Sequence, residues 1–306
     1  MSRIRTFIAL LTSPGKLIFT IGGKGLLNWM SDKAYLGLVY RSVFGKKIDW
    51  ENPKTFNEKL QWLKLNDRNL EYPTLVDKCE VKKYVAKILG DDYIIPNLGV
   101  WETADDINFD SLPERFVIKC THDSGSVTIC KNKSNLNISQ VRASLNRHLH
   151  NSPYCFGREW PYRLVKPRII AEPYLEDEDG QLKDYKFMCF GGQMRCCFVF
   201  SDRYEDSGLK LNVYDRNWEL LEIGRKYTKI KENLSKPKNY KLMIEFAELL
   251  SKNIPFVRVD FYEVNGNVYF GEMTFYPNSG FTEFYPASWD SVLGEWLILP
   301  NMEESR

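Results

Sequence analysis

Two short stretches near the C-terminus carry the most chemistry per residue. Arg258-Val259-Asp260 and Glu272-Met273-Thr274 each sit in a largely apolar run, with Asn265-Gly266-Asn267 between them. The pattern predicts a hairpin, Phe256–Val264 against Val268–Thr274. Register decides what it can do. A two-residue Asn265-Gly266 turn would put Asp260 and Glu272 on opposite faces. A three-residue loop, Asn265-Gly266-Asn267, instead pairs Val264 with Val268, Tyr262 with Phe270 and Asp260 with Glu272, and sets Arg258 opposite Thr274. Directly opposed carboxylates repel, so this second register calls for a cation between them. Oxygen-only ligands favour Mg2+, which usually bridges to phosphates. We expect the three-residue register.

Lys119 is an isolated cation in Phe116-Val117-Ile118-Lys119-Cys120. Alternation places it with Val117 on one face and Phe116, Ile118 and Cys120 on the other. The following turn holds Ser124-Gly125-Ser126, small residues that let backbone N–H groups approach an anion. Lysine and turn together suit a polyphosphate; taken alone, an exposed edge-strand lysine beside a tight turn is the commoner case. Glu172 closes an apolar strand before Pro173, where a solvated strand-end carboxylate is the plain alternative. Asp177-x-Asp179 matches the metal motif of many nucleotide-sugar glycosyltransferases, yet its Gly180 between two strands reads better as a turn. His148-x-His150 offers two metal-type ligands without a third nearby. No P-loop, dinucleotide-binding or nucleophile-elbow motif occurs. Aromatic residues are not interleaved with a basic stripe, so nucleic acid has no support.

These residues need positioning elements, and the chain supplies them in blocks. Residues 28–89 are mostly helical: Thr55 and Glu58 have capping-box spacing, and Asp77–Leu89 carries Val81, Tyr84, Val85 and Ile88 up to Gly90. From Phe116 the texture changes to strands, with Phe116–Cys120 and Ser126–Cys130 as a hairpin. A polar helix near Ser139–His150 follows, then strands near Arg168–Leu175, Asp184–Phe190 and Gln193–Ser201, and an amphipathic helix over Tyr240–Asn253. Helices alternating with antiparallel hairpins predict an α+β fold. The divisions read from this are a helical arm (1–50), a helical region (51–115) and two α+β parts (116–180 and 181–306).

The chain has 306 residues, 43% of them hydrophobic, and a net charge of +2. That composition excludes disordered, collagen-like and disulfide-scaffold classes. Residues 1–50 carry eight basic side chains and two acids, a surplus of +6 that leaves the other 256 residues at −4. The apolar Phe7–Leu11 run is too short to span a membrane, being broken at Pro14-Gly15-Lys16, and no small-x-small cleavage site follows it. Two readings of the arm stay open: it packs on its own protein, or residues 1–30 contact the inner membrane face, each basic residue contributing about 1 kcal/mol. Seven cysteines without a C-x-x-C pair point to a reduced, cytoplasmic protein.

The order lysine, small-residue turn, Glu-Pro at a strand end, then Asp and Glu on a C-terminal hairpin resembles the ATP-grasp superfamily. Asn52–Leu60, Phe116–Ser126 and Gly271–Pro277 resemble its TupA-like branch, named for teichuronopeptide biosynthesis and often encoded with genes for bacterial capsule or cell-surface polysaccharide. Members are often labelled glycosyltransferases. The resemblance implies an ATP-grasp fold and an ATP-dependent carboxylate–amine ligase working through an acyl phosphate, with ATP and Mg2+. The implied partners are a uronic-acid-bearing glycan or precursor and an amino acid or amine. By the same resemblance, Lys119 and Lys78 hold phosphates and Ser124-Gly125-Ser126 covers them. Glu172 and the Pro173-Tyr174-Leu175 backbone meet adenine, and Asp184 the ribose side. Asp260 and Glu272 bind the metal, Arg258 stabilises the transferring phosphoryl group, and Lys186 faces the cleft. Two departures stand out. Peptide-type ligases have Asn where this chain has Thr274, and many relatives carry an α/β domain where this N-terminal third reads as helical. A metal-dependent glycosyltransferase and a non-catalytic nucleotide-binding protein are the competing readings.

Overall fold

The computed structural model describes residues 14–177, 182–201, 210–225 and 233–300. Arg3, Arg5, the Phe7–Leu11 run and Asp179 lie outside them. Five helices come first: α1 (Pro14–Gly23), α2 (Asp32–Phe44), α3 (Phe56–Asn66), α4 (Tyr72–Val76) and α5 (Glu80–Leu89). Their limits follow from local chemistry. Ser31 caps α2 by accepting from the Ala34 N–H, and Gly45 ends it in the left-handed region at φ 72°. Both halves of the Thr55/Glu58 capping box form at the start of α3. Helix α5 starts at Glu80, not Asp77, because the Asp77 carboxylate accepts from the Cys79 and Glu80 N–H groups instead of continuing the helix.

Strands β1 (Gly99–Trp101), β2 (Phe116–Cys120), β3 (Thr128–Cys130) and β4 (Ile169–Pro173) form an antiparallel sheet in the order β1-β4-β2-β3. Strand β1 falls where the sequence reads as helical; three residues are too few for an alternation to register. Phe116, Ile118 and Cys120 are buried as expected and pack, with Ile169 and Ala171, on Val141 and Leu145 of α6 (Ile138–Leu149). Lys119 is on the other face. A short helix, α7 (Pro153–Gly157), then leads into β4.

The second sheet contains β5 (Asp184–Phe190), β6 (Gln193–Ser201), β7 (Lys210–Tyr214), β8 (Phe256–Val264) and β9 (Asn267–Thr274), in the order β7-β6-β5-β8-β9. Helix α8 (Tyr240–Leu250) presses Met243, Ala247 and Leu250 into the core that also holds Phe187, Cys189 and Phe261. Near the end of the chain, α9 (Ser288–Trp296) packs on α3. Residues 174–177 leave the first sheet, and 182–183 lead into the second. The class is α+β, as expected.

The C-terminal hairpin corrects the expected register. Its turn is the two-residue one: Val264 pairs with Asn267, and Asn265 and Gly266 have φ of 51° and 78°, the left-handed pair such a turn requires. The pairs are Tyr262 with Tyr269 and Phe261 with Phe270, not those a three-residue loop would give. A β-bulge then inserts Gly271, and past it Asp260 opposes Glu272 and Arg258 opposes Thr274. The two carboxylates share a face through a bulge rather than through the turn. A side chain at Gly271 would meet the Asp260 carbonyl oxygen at 3.1 Å, so the bulge suits glycine.

Candidate active site

Charged residues from both sheets converge on Glu272: Lys119 from the first, Arg258 and Lys186 from the second, and Lys78 from the turn before α5. On the second sheet, Arg258 donates from Nε to Asp260 Oδ1 at 2.6 Å and from one terminal nitrogen to Asp260 Oδ2 at 2.6 Å and Glu272 Oε1 at 2.7 Å. Lys186, across the ladder from Asp260, bonds to it and lies 2.7 Å from Asp184 Oδ2. The cation expected between the opposed carboxylates is therefore, first, a guanidinium. Lys78 reaches in from the segment before α5, its Nζ 2.5 Å from the Asp123 carbonyl oxygen and 3.9 Å from Glu272 Oε2. Burial would raise the Glu272 pKa, but Lys78, Arg258, Lys186 and Lys119 outweigh it and hold the carboxyl far below its usual range. Lys119 and Lys186 come from different sheets, so both sheets bear on this one acid. Burial pushes the Asp260 carboxyl upward, against the pull of Arg258 and Lys186.

On the first sheet, Glu172 is buried between two lysines. Lys119 donates to Oε2 and Lys82 to Oε1, each at 2.5 Å. Burial is again outweighed, and the Glu172 pKa is lowered. Lys82 also donates to the Ile95 carbonyl at 2.8 Å and to Asn97 Oδ1. Sequence reasoning missed Lys82; its one signal is a place four residues after Lys78. Pro173, Tyr174 and Leu175 begin the crossing between sheets, and the Arg115 guanidinium lies 4.4 Å from the centre of the Tyr174 ring. Ser126 is buried, its hydroxyl bonded to Asp123 Oδ1 at 2.5 Å and accepting from the Cys120 N–H at 2.7 Å. Those bonds anchor both ends of the turn that carries Ser124 and Gly125 at its tip.

Beside that tip is a cavity of about 340 Å³, lined by Ser124, Gly125, His148, Glu159, Tyr162 and Ser279 among others. Tyr162 was also missed. Its phenol pKa is raised well above the usual value by burial and by the charges of Glu159 and Glu272, with Arg258 opposing, so this wall of the cavity is within electrostatic reach of the Arg258–Glu272 centre. The two histidines of the H-x-H pair diverge: His148 Nδ1 is 2.6 Å from Asp123 Oδ2, whereas His150 Nδ1 is 2.7 Å from the Asn146 carbonyl. Asp177 pairs with Lys183 at 3.2 Å.

Among the described residues no group of three or more His, Cys, Asp or Glu is placed to hold a metal unaided. Asp260, Glu272 and the Thr274 hydroxyl, which is 3.5 Å from Glu272 Oε1, nevertheless fit Mg2+: they are hard oxygen donors on one face. Mg2+ commonly completes its shell with water and phosphate. Among the described residues, no helix is long and apolar enough to cross a membrane.

Comparison with curated proteins finds no match. Among solved structures, an ATP complex of D-alanine–D-alanine ligase from Bacillus anthracis is similar at 17% identity and TM-score 0.38, covering 66% of this chain and 53% of its own. The chain thus spans about half of that relative. The Helicobacter pylori D-alanine–D-alanine ligase has 16% identity and TM-score 0.42, with 80% and 69% covered. A RimK-domain ATP-grasp protein from Sphaerobacter thermophilus has 11% identity and TM-score 0.40, with 76% and 70% covered. A family model described as TupA-like ATPgrasp matches residues 58–298.

Proposed function

The chain belongs to the TupA-like ATP-grasp family, and we propose that it is an ATP-dependent ligase that joins a carboxylate to an amine through an acyl phosphate. The observation that carries this reading is the charge arrangement around Glu272. Cations from both sheets converge on one ionised acid that directly opposes a second, Asp260. Such a cluster suits a polyphosphate and a divalent ion, each neutralising what the other leaves unpaired.

In this reading Lys119 and Lys78 bind the α- and β-phosphates, and the Ser124-Gly125-Ser126 tip closes over them. Glu172, held rigid by Lys82 and Lys119, faces the adenine amino group, and the Pro173–Leu175 backbone completes that contact. Asp184 meets the ribose. Arg258 swings from Asp260 toward the transferring phosphoryl group, where its fixed fork stabilises the charge that develops. Lys186 stays against Asp260 and opposes the upward push that burial gives its carboxyl. Asp260, Glu272 and Thr274 would hold Mg2+, which when bound supplies charge neutralisation at the phosphates. The carboxylate substrate is a uronic acid of a surface polysaccharide or its precursor, and the amine is an amino acid or related compound; the family's teichuronopeptide association supports both. The site of action is cytoplasmic, at the inner membrane face. Support for membrane contact comes from Trp29 and Leu26, 80% and 63% exposed beside the exposed Lys24.

An ADP-release screen of amino acids against uronic acids with Mg-ATP, products identified by mass, tests the reading. Release should require both a carboxylate and an amine, and Asp260→Asn should abolish it. Turnover left intact by Asp260→Asn would refute the metal assignment.

A further inference from the structure

We propose that the cavity beside the Ser124-Gly125 tip is the amine site, and that His148, oriented by Asp123, takes the proton the amine must lose. The inference rests on the ligase reading above and adds the residue that activates the nucleophile.

Three features carry it. First, the cavity has the right neighbour: its wall residue Tyr162 senses Glu272 and Arg258, and one ammonium, that of Lys78, bridges the Asp123 carbonyl and Glu272. Second, the imidazole is pre-set as a base. Nδ1–H donates to Asp123 Oδ2 at 2.6 Å, while Asp123 Oδ1 takes the Ser126 hydroxyl. The carboxylate therefore fixes the ring with Nδ1 turned to Asp123, and Nε2 is the nitrogen left to exchange a proton with a ligand. The ring flanks the small Gly125, where an added Cβ would be 3.3 Å from His148 Cε1. Third, the lining is suited to a cation. Glu159 supplies a carboxylate at the wall, and His122, only 2% exposed, leaves Nδ1 without a protein partner. Burial lowers the His122 pKa, with the neighbouring Asp123 opposing. Asp123 bonds His148 directly, His122, Glu159 and Tyr162 line the same cavity, and Lys78 holds the Asp123 carbonyl.

A bound ammonium gives one proton to His148 Nε2, and the freed lone pair attacks the acyl carbon of the acyl phosphate. The C–N bond forms, the C–O bond to phosphorus breaks, and the second proton leaves with the phosphate as HPO4(2−). The first passes from His148 to solvent.

Hydroxylamine separates this role from a structural one, because it is unprotonated near pH 7.5 and intercepts acyl phosphates without a base. With Mg-ATP and the uronic acid that the screen selects, wild-type protein should form both the hydroxamate and the amide. In His148→Gln, hydroxamate formation should persist while amide formation falls about 100-fold or more, regaining rate only as pH rises toward the amine's own pKa. Asp123→Asn should show a milder form of the same split. Equal losses in both assays, in His148→Gln and again in His148→Asn, would overturn the base assignment, as would an unchanged amide rate. If wild-type protein forms neither hydroxamate nor ADP with any carboxylate, the ligase reading fails first and takes this one with it.

Discussion

Asp260 faces Glu272 across β8 and β9 because β9 carries one extra residue, Gly271, between them and the turn. Without the bulge, the two-residue turn would send the carboxylates to opposite faces. Gly271→Val would force a branched side chain against the Asp260 carbonyl and the Tyr262 ring, 3.1 and 3.2 Å from the new Cβ. The expected cost is about 1–3 kcal/mol, seen as a lower melting temperature, together with weaker Mg-ATP binding by calorimetry. A variant that melts and binds like wild type would show that the bulge does not set the pair.

Glu172 predicts a contrast between two adjacent lysines. Lys82 is buried on Glu172, whereas the Lys83 side chain is 72% exposed on Glu80. Lys82→Met leaves a buried carboxylate with half its partners and should cost about 3 kcal/mol in urea unfolding; Lys83→Met should leave the midpoint in place. The acid limb follows by linkage. Because the folded pKa of Glu172 is depressed, its stabilisation is present above the unfolded value of about 4.3 and is lost as pH falls through the folded one. Lys82→Met should shrink that loss.

Lys64 predicts the opposite limb. It is fully buried, donating to Gln61 Oε1 at 2.9 Å and to the Ser279 carbonyl at 2.7 Å, with the Phe281 ring centre at 4.8 Å. Burial lowers its pKa from 10.5 to about 7. Between those values the unfolded chain binds the extra proton, so stability should rise with pH across about 7 to 10.5. Glu159, raised by burial, contributes a fall with rising pH, in a window that starts near the unfolded carboxylate value. Lys64→Met should abolish the alkaline rise in a urea-midpoint profile. A rise that persists in this variant would assign it to another group.

What was legible in the sequence follows from physics. Lys119 and Arg258-Val259-Asp260 stood out because charges are costly on strands that alternation says are half buried. The Thr55 box was readable because both of its bonds are local. The bulge was not, since Gly271 looks like any strand glycine until its partner strand is known. Lys82 and Tyr162 were hidden for a related reason. A helical lysine reads as solvated, and a tyrosine as core, unless the acids they meet, Glu172 and Glu272, are known to fold back 90 and 110 residues later.

The N-terminal helices are held to the cavity wall by one buried cation. Arg158, 1% exposed, donates to Asn28 Oδ1 at 3.0 Å and to the Leu27 carbonyl at 2.8 Å, lies 3.5 Å from Asp32, and sits over the Tyr35 ring at 4.3 Å. Tyr35 also donates to the Phe156 carbonyl at 2.8 Å. A truncation of residues 1–30 therefore removes two of the guanidinium's hydrogen-bond acceptors while Asp32 stays, and the buried donors left unpaired should cost about 1–3 kcal/mol. Activity lost by truncation would then say nothing about membranes. Trp29→Ser with Lys24→Glu separates the two effects, because both side chains are exposed. This pair should leave the melting temperature and soluble ADP release unchanged while lowering sedimentation with anionic vesicles, and undiminished sedimentation would remove the membrane contact from this surface.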